Sequence, residues 1–275
     1  MEVTIINNAS AHVPYGRFSL GIMGHYQNSE VWPHSPSSNM VQHVIAPLPF
    51  LFAVIIHARD LTIRSTGPCL QTAFDNGLTL SPALIELILE NKCIHTPDEN
   101  EDPETPAFHE NAPTREFTFP KLCQITIRSV NCVFDSTSLT HLWLCDISLA
   151  NAYSILSQCP NLVHAFVLYV DDVYDASHTF TEVSLEHLEL LSLAAYSAGL
   201  ELLTPLRLPH LKTLLLAVIG HYEPSTLPSK ILQVVGDPWW FGKVYLRGVE
   251  EEVAFSIQSM FPVATVTIKG EDEDD

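Results

Sequence analysis

One spacing of apolar residues recurs along this chain and constrains its fold more than any other feature. It runs apolar residue, two others, apolar residue, one other, apolar residue. Leu84, Leu87 and Leu89 make one copy, Leu122, Ile125 and Ile127 the next, and Leu139, Leu142 and Leu144 a third. Further copies are Leu188/Leu191/Leu193, Leu211/Leu214/Leu216, Phe241/Val244/Leu246 and Val263/Val266/Ile268, with an earlier one at Ala58, Leu61 and Ile63. Between them a copy fits in two registers, Leu162/Ala165/Val167 or Val163/Phe166/Leu168. Some copies share a lead-in: Phe119-Pro120-Lys121-Leu122, Leu185-Glu186-His187-Leu188 and Leu208-Pro209-His210-Leu211. In a chain that is 47% hydrophobic a single match means little. The recurrence and the shared lead-in carry the weight.

The last two apolar positions of each copy are two residues apart, so on a strand they point to one face and their neighbours to the other. Stacked in parallel, such strands bury one face and leave the other open. With Leu162 as the start of the ambiguous copy, successive starts lie 22 to 30 residues apart, with two exceptions of 38 and 17. That spacing matches the leucine-rich-repeat period of roughly 20–29 residues. The expected fold is therefore α/β: a leucine-rich-repeat solenoid, an irregular horseshoe of parallel strands with helical or irregular return segments.

The long gap holds a Pro-containing acidic segment, expected as a loop insert over 95–118. The short gap leaves no room for a helix and should return by a turn or irregular chain. Residues 148–158 are the clearest return helix. Ser148 is the expected N-cap, Leu149, Ala152, Tyr153 and Leu156 share a face, and Pro160 stops the run. Other expected return helices lie at 49–58, 199–203, 229–235 and 250–260. Residues 1–44 are expected to cap the solenoid or to be partly disordered, with a first strand at 15–20. The solenoid itself spans 45–270 as one cooperative array, and residues 271–275 form an acidic disordered tail.

The phrases Ala150-Asn151-Ala152-Tyr153-Ser154-Ile155-Leu156-Ser157-Gln158-Cys159-Pro160-Asn161-Leu162 and Leu208-Pro209-His210-Leu211-Lys212-Thr213-Leu214-Leu215-Leu216 resemble the leucine-rich-repeat region of fungal, mushroom-type F-box proteins. Phe119-Pro120-Lys121-Leu122-Cys123-Gln124-Ile125 does so too. The resemblance covers roughly residues 45–270. It implies a substrate-recognition module of a ubiquitin-ligase adaptor, in which an F-box docks on a Skp1-type adaptor and the repeats hold a protein substrate. Nothing in residues 1–45 reads as an F-box, so a Skp1-type adaptor is expected only if an F-box is supplied elsewhere. A stand-alone leucine-rich-repeat interaction protein is the alternative. The pattern departs in a second way: the usual Asn or Cys three residues past the strand is replaced by Val130, Ile147, Ile219 and Val249.

Enzyme chemistry finds little purchase. There is no Gly-rich phosphate loop, no His-Glu-x-x-His and no Gly-x-Ser-x-Gly. Cys123, Cys132, Cys145 and Cys159 lack the close Cys-x-x-Cys pair of structural zinc sites, so neither metal nor cofactor is expected. Cys159, just before Pro160, reads as a small buried residue. Asp171, Asp172, Asp175 and His178 form the one polar cluster that a metal-dependent hydrolase would use, against the plainer reading as a hydrophilic connection. The 32 acidic against 13 basic residues disfavour generic nucleic-acid binding. No run is long and apolar enough for a membrane span, and the first residues lack a signal-peptide pattern. A cytoplasmic or nuclear monomer with free thiols is expected.

The open face of the sheet is the expected docking surface for an unknown protein substrate. Its outward residues include Arg128, His141, Trp143, Thr213, Leu215, Lys243, Tyr245 and Arg247, which are the candidate contacts. Trp143, Tyr245, Arg128 and Arg247 are the expected anchors, because aromatic and Arg side chains dominate binding energy. Trp239 and Trp240 are expected to be core.

Overall fold

A computed structural model describes residues 2–6, 18–21, 60–65, 84–91, 116–118, 120–130, 133–135, 137–170, 180–236 and 241–269. The protein is α/β, and it divides into two compact units, Met1–Ala112 and Pro113–Asp275. The division falls inside the expected insert at 95–118.

In the first unit, strands β1 (Glu2–Ile6), β2 (Phe18–Gly21), β3 (Asp60–Ser65) and β4 (Glu86–Asn91) form a mixed arrangement. β3 and β4 run parallel, with Leu61 opposite Leu87 and Ile63 opposite Leu89. All four of these side chains are buried. β1 lies antiparallel along β3, and β2 antiparallel along β1. The expected strand at 15–20 is thus present as β2, two residues shorter in span. β1 carried no period-two signal strong enough to be expected. Ala58 and the expected helix at 49–58 lie outside the described residues.

The second unit is built on seven parallel strands. They are β6 (Gln124–Arg128), β8 (His141–Cys145), β9 (His164–Val170), β11 (Leu190–Tyr196), β13 (Thr213–Ile219), β14 (Lys243–Arg247) and β15 (Thr265–Lys269). Consecutive members of this series pair in parallel. The apolar pattern becomes two ladders across them. Ile125, Leu142, Ala165, Leu191, Leu214, Val244 and Val266 stand opposite one another, and so do Ile127, Leu144, Val167, Leu193, Leu216, Leu246 and Ile268. All but the two on β15 are buried. The ambiguous copy therefore takes the Leu162/Ala165/Val167 register. A buried Leu contributes roughly 1.5–3 kcal/mol, so these ladders dominate the stability of the unit.

The strand entrances repeat as well. The amides of Thr140 and His141 both donate to the Cys123 carbonyl, those of Val163 and His164 to Thr140, and those of Glu189 and Leu190 to Val163. The amides of Lys212 and Thr213 donate to Glu189, and those of Gly242 and Lys243 to Lys212. Shared acceptors of this kind pin each strand to its predecessor at the same height. In the lead-in, Leu162, Leu188 and Leu211 donate to carbonyls three residues back, at Cys159, Leu185 and Leu208. The last copy departs from this. There Ala264 makes that turn, to Phe261, and is buried, whereas Val263 is 59% exposed. The residue expected to start the copy is one place early, because the stretch from the turn at Phe261 to the ladder residue Val266 is one residue shorter than in the other copies.

The return segments supply the opposite wall. Helix α1 (Leu149–Ser157) begins where expected, with the Ser148 hydroxyl accepting from the Asn151 amide at 3.3 Å. Its buried face is Leu149, Ala152, Ile155 and Leu156. Tyr153, expected on that face, stands at its rim: its ring meets Phe180 and its hydroxyl donates to the Thr181 carbonyl at 2.8 Å. The phenol pulls the side chain toward a polar partner, and Ile155 takes the core place. The expected helix at 199–203 is a 3-10 helix, Ala198–Leu203. Helices α2 (Leu227–Val235) and α3 (Glu251–Met260) match the other two. The short gap returns through strand β7 (Val133–Asp135), parallel to β5 (Glu116–Thr118), the last residues of the expected insert. A similar short pair joins β10 (Val183–Ser184) to β12 (Leu206–Arg207). The expectation of an irregular return missed this pairing, because three-residue strands leave no periodic signal.

Strand exits carry a left-handed residue at Ser129, Asp146, Tyr169, Gly220 and Gly248. Just beyond Ser129, Asp146 and Gly248, Ile147 and Val249 are buried and Val130 half-buried, and Ile219, just before Gly220, is half-buried. Apolar packing there replaces the missing polar residue. Gly248 is needed on steric grounds: a Cβ there would lie 2.2 Å from the Val218 carbonyl oxygen. Cys159 is buried, Cys145 half-buried and Cys123 exposed, and these three are not joined in disulfides.

Candidate interaction surface

The face of the seven-strand sheet opposite the buried ladders carries three columns of side chains. The first is Gln124, His141, His164, Leu190, Thr213, Lys243 and Thr265. The second is Thr126, Trp143, Phe166, Ser192, Leu215, Tyr245 and Thr267. The third begins at Arg128, Cys145, Leu168 and Ala194 and ends at Ala217, Arg247 and Lys269. All eight candidate contacts, Arg128, His141, Trp143, Thr213, Leu215, Lys243, Tyr245 and Arg247, stand in these columns. Arg128, His141, Trp143, Lys243 and Arg247 are exposed, and Thr213, Leu215 and Tyr245 are half-buried. They form one surface and do not converge on a point. Trp143 and Tyr245 are four strand steps apart, about 19 Å at the usual strand spacing.

The centre of the apolar part is a pair of rings. Trp143 is 42% exposed and stacks on Phe166, with centroids 4.3 Å apart and planes inclined by 16°. Register explains the stack, since the two residues are direct partners on neighbouring strands and share a face. Phe166 was missed as a contact. Its signal was the second register that fitted 162–170: an apolar open face mimics a buried ladder.

Above the rings, His141 meets His164 edge-on at 4.9 Å, and the Thr140 hydroxyl lies 2.9 Å from His141 Nδ1. Partial burial first, and the neighbouring His164 second, hold the His141 imidazole below its usual range. Below them, Arg128 pairs with Asp146 at 3.3 Å. Lys212 pairs with Glu189 at 2.7 Å just before the strands begin. That contact, with the Lys212 hydrogen bond as its largest part, holds the Glu189 carboxyl below its usual range.

Outside this face the most distinctive polar contact is Tyr222 with Glu250, in the turns after β13 and before α3. Burial first, and the hydrogen bond to Glu250 second, push the Tyr222 phenol up to about 12, and the same bond holds Glu250 down. Two groups braced in this way tie adjacent returns together. Among the described residues, no three His, Cys, Asp or Glu side chains gather closely enough to hold a metal ion. Asp171, Asp172, Asp175 and His178 lie outside the described residues, as do Trp239, Trp240 and the tail at 271–275. No described helix is long and apolar enough to cross a membrane.

Fold and surface together define a class: an α/β protein in whose second unit seven parallel strands follow chain order, with one sheet face packed under the described return segments and the other carrying exposed and half-buried side chains. No family model matches the chain, and comparison with curated proteins finds no matching sequence.

Proposed function

We propose that this chain is a leucine-rich-repeat solenoid that works as a protein-binding module, with no catalytic activity of its own, and that the open sheet face is where its partner docks. One observation carries the reading: Trp143, 42% exposed, stacks on Phe166 on the sheet face opposite the buried ladders. Large rigid rings with exposed faces supply binding energy at low conformational cost. The resemblance to F-box repeat proteins makes the partner a ubiquitin-ligase substrate, with a Skp1-type adaptor engaged through an F-box supplied elsewhere.

The test compares two variants against a crosslinked partner recovered from cells. Trp143→Ala removes the face's main ring, and Phe255→Ala removes a ring 74% exposed on helix α3. Loss of the partner with the first and retention with the second supports the reading. The reverse result would move the docking site to the helices. Co-elution of a Skp1-type adaptor tests the ligase part separately.

A further inference from the structure

Two imidazoles stand side by side on the open face. His141 on β8 and His164 on β9 are direct cross-strand partners, the first exposed and the second half-buried. Their ring centres are 4.9 Å apart and their planes nearly perpendicular, at 89°. Zinc lies about 2.0–2.1 Å from an imidazole nitrogen, which puts it about 3.2 Å from the ring centre. Two rings that share one ion are then about 4.5 Å apart at a right angle and about 5.2 Å apart at the tetrahedral angle. The observed separation falls between these values. Converging a nitrogen of each ring on one ion takes rotation about the side-chain bonds and leaves the strands where they are.

One of the two rings already has its tautomer set. The Thr140 hydroxyl donates to the Cys123 carbonyl at 3.1 Å, and its oxygen lies 2.9 Å from His141 Nδ1. With its single proton on the carbonyl, the hydroxyl accepts from Nδ1–H. His141 is left with Nε2 as the nitrogen that carries a lone pair. A ligating imidazole has its other N–H held in just this way, which fixes both the tautomer and the ring. Among the described residues no third His, Cys, Asp or Glu joins the pair. Glu189, just before the next strand, bonds Lys212 at 2.7 Å. The chain therefore offers two neutral nitrogen ligands and leaves the other coordination positions to water or to a donor on a bound molecule.

We infer that His141 and His164 form a two-imidazole site for a divalent ion of the zinc, nickel and copper group, with its open coordination positions on the exposed sheet face. Imidazole suits these ions, whereas calcium and magnesium take oxygen ligands. The ion binds whether or not a protein docks on the face.

The experiment titrates the full chain with copper(II) chloride at neutral pH, following calorimetric binding and tryptophan emission together. Copper(II) is the probe because nitrogen sites bind it most tightly in this series, and because it quenches nearby indoles. Trp143 stands two residues along β8 from His141 on the same face, about 7 Å away. The expected result is one saturable equivalent that quenches Trp143. H141Q, H164Q and the double variant should each bind it about ten-fold more weakly or worse, with thermal melts confirming that all three fold. Either single variant binding as tightly as wild type would overturn the inference, because the ion would then sit on one of the other ligands that 13 histidines provide. Quenching that persists in W143F would place the ion beside Trp32, Trp239 or Trp240, and would overturn it too. So would the absence of any saturable binding. None of these results bears on the docking face, which the crosslinked partner tests by itself.

Discussion

Replacing Gly248 with Ala tests the stacking of β14 on β13 more directly than any core substitution. Gly248 has φ +68 and follows β14, and an added Cβ would lie 2.2 Å from the Val218 carbonyl oxygen on β13. An ordinary carbon–oxygen approach is about 3.3 Å or more. Relief therefore needs about 1 Å of separation between two strands spaced about 4.8 Å apart, enough to strain the hydrogen bonds at that end. The left-handed conformation costs an Ala about 1–2 kcal/mol, and overpacking of this kind adds about 1–3 kcal/mol. Gly220 provides the control. It has φ +76 and follows β13, but an added Cβ would meet nothing within 4 Å. Gly220→Ala should therefore lose only the conformational cost, about 1–2 kcal/mol. Any gain from a stiffer unfolded chain applies to both variants and cancels in their difference. The expected difference is about 1–3 kcal/mol, or about 2–12 °C in Tm for a unit of this size. Urea unfolding followed by circular dichroism measures it, with equal m-values showing that the same transition is observed. If the two variants unfold within about 0.5 kcal/mol of each other, the close approach of Gly248 to β13 is wrong.

Leu193→Ala, at a buried ladder position, should cost about 2–5 kcal/mol in urea unfolding, whereas Ile268→Ala, 42% exposed on β15, should cost less than about 1 kcal/mol. Ser148→Ala removes the α1 cap bond and should cost about 1 kcal/mol, while Ser148→Gly costs only a few tenths. His141 is held below its usual value of 6.5, so the unfolded chain binds its proton more readily than the folded chain. Its contribution to stability is therefore complete above 6.5 and declines as pH falls through 6.5 to the lower folded value. The urea midpoint of wild type should accordingly fall relative to that of His141→Gln as pH drops through 6.5, and parallel curves would contradict the shift.

Much of this fold was legible because two residues per strand had to be apolar and two apart. The buried ladders demand it, and seven stacked strands repeat the demand. Legibility failed where a short element or a local turn made the decision. Strands β5 and β7 are three residues each, too short for any period. A lead-in one residue shorter after Phe261 moved the buried position from Val263 to Ala264. Tyr153 left the expected core face for a hydrogen bond at Thr181, which no helical wheel encodes. The eight candidate contacts were readable as a face, because alternation alone assigns them. Their neighbours were not: pairing Trp143 with Phe166 requires the strand register, and 162–170 offered two.

That ambiguity has a physical cause that bears on function. A strand buried on one face and wet on the other alternates apolar with polar, and its register is then strongly specified. β9 does not alternate: Ala165 and Val167 face the core, while Phe166 and Leu168 face outward. The Trp143–Phe166 stack stabilises the two strands, but rings left partly exposed carry a liability for aggregation. Their placement is explained if the outer side is itself buried part of the time, against a guest.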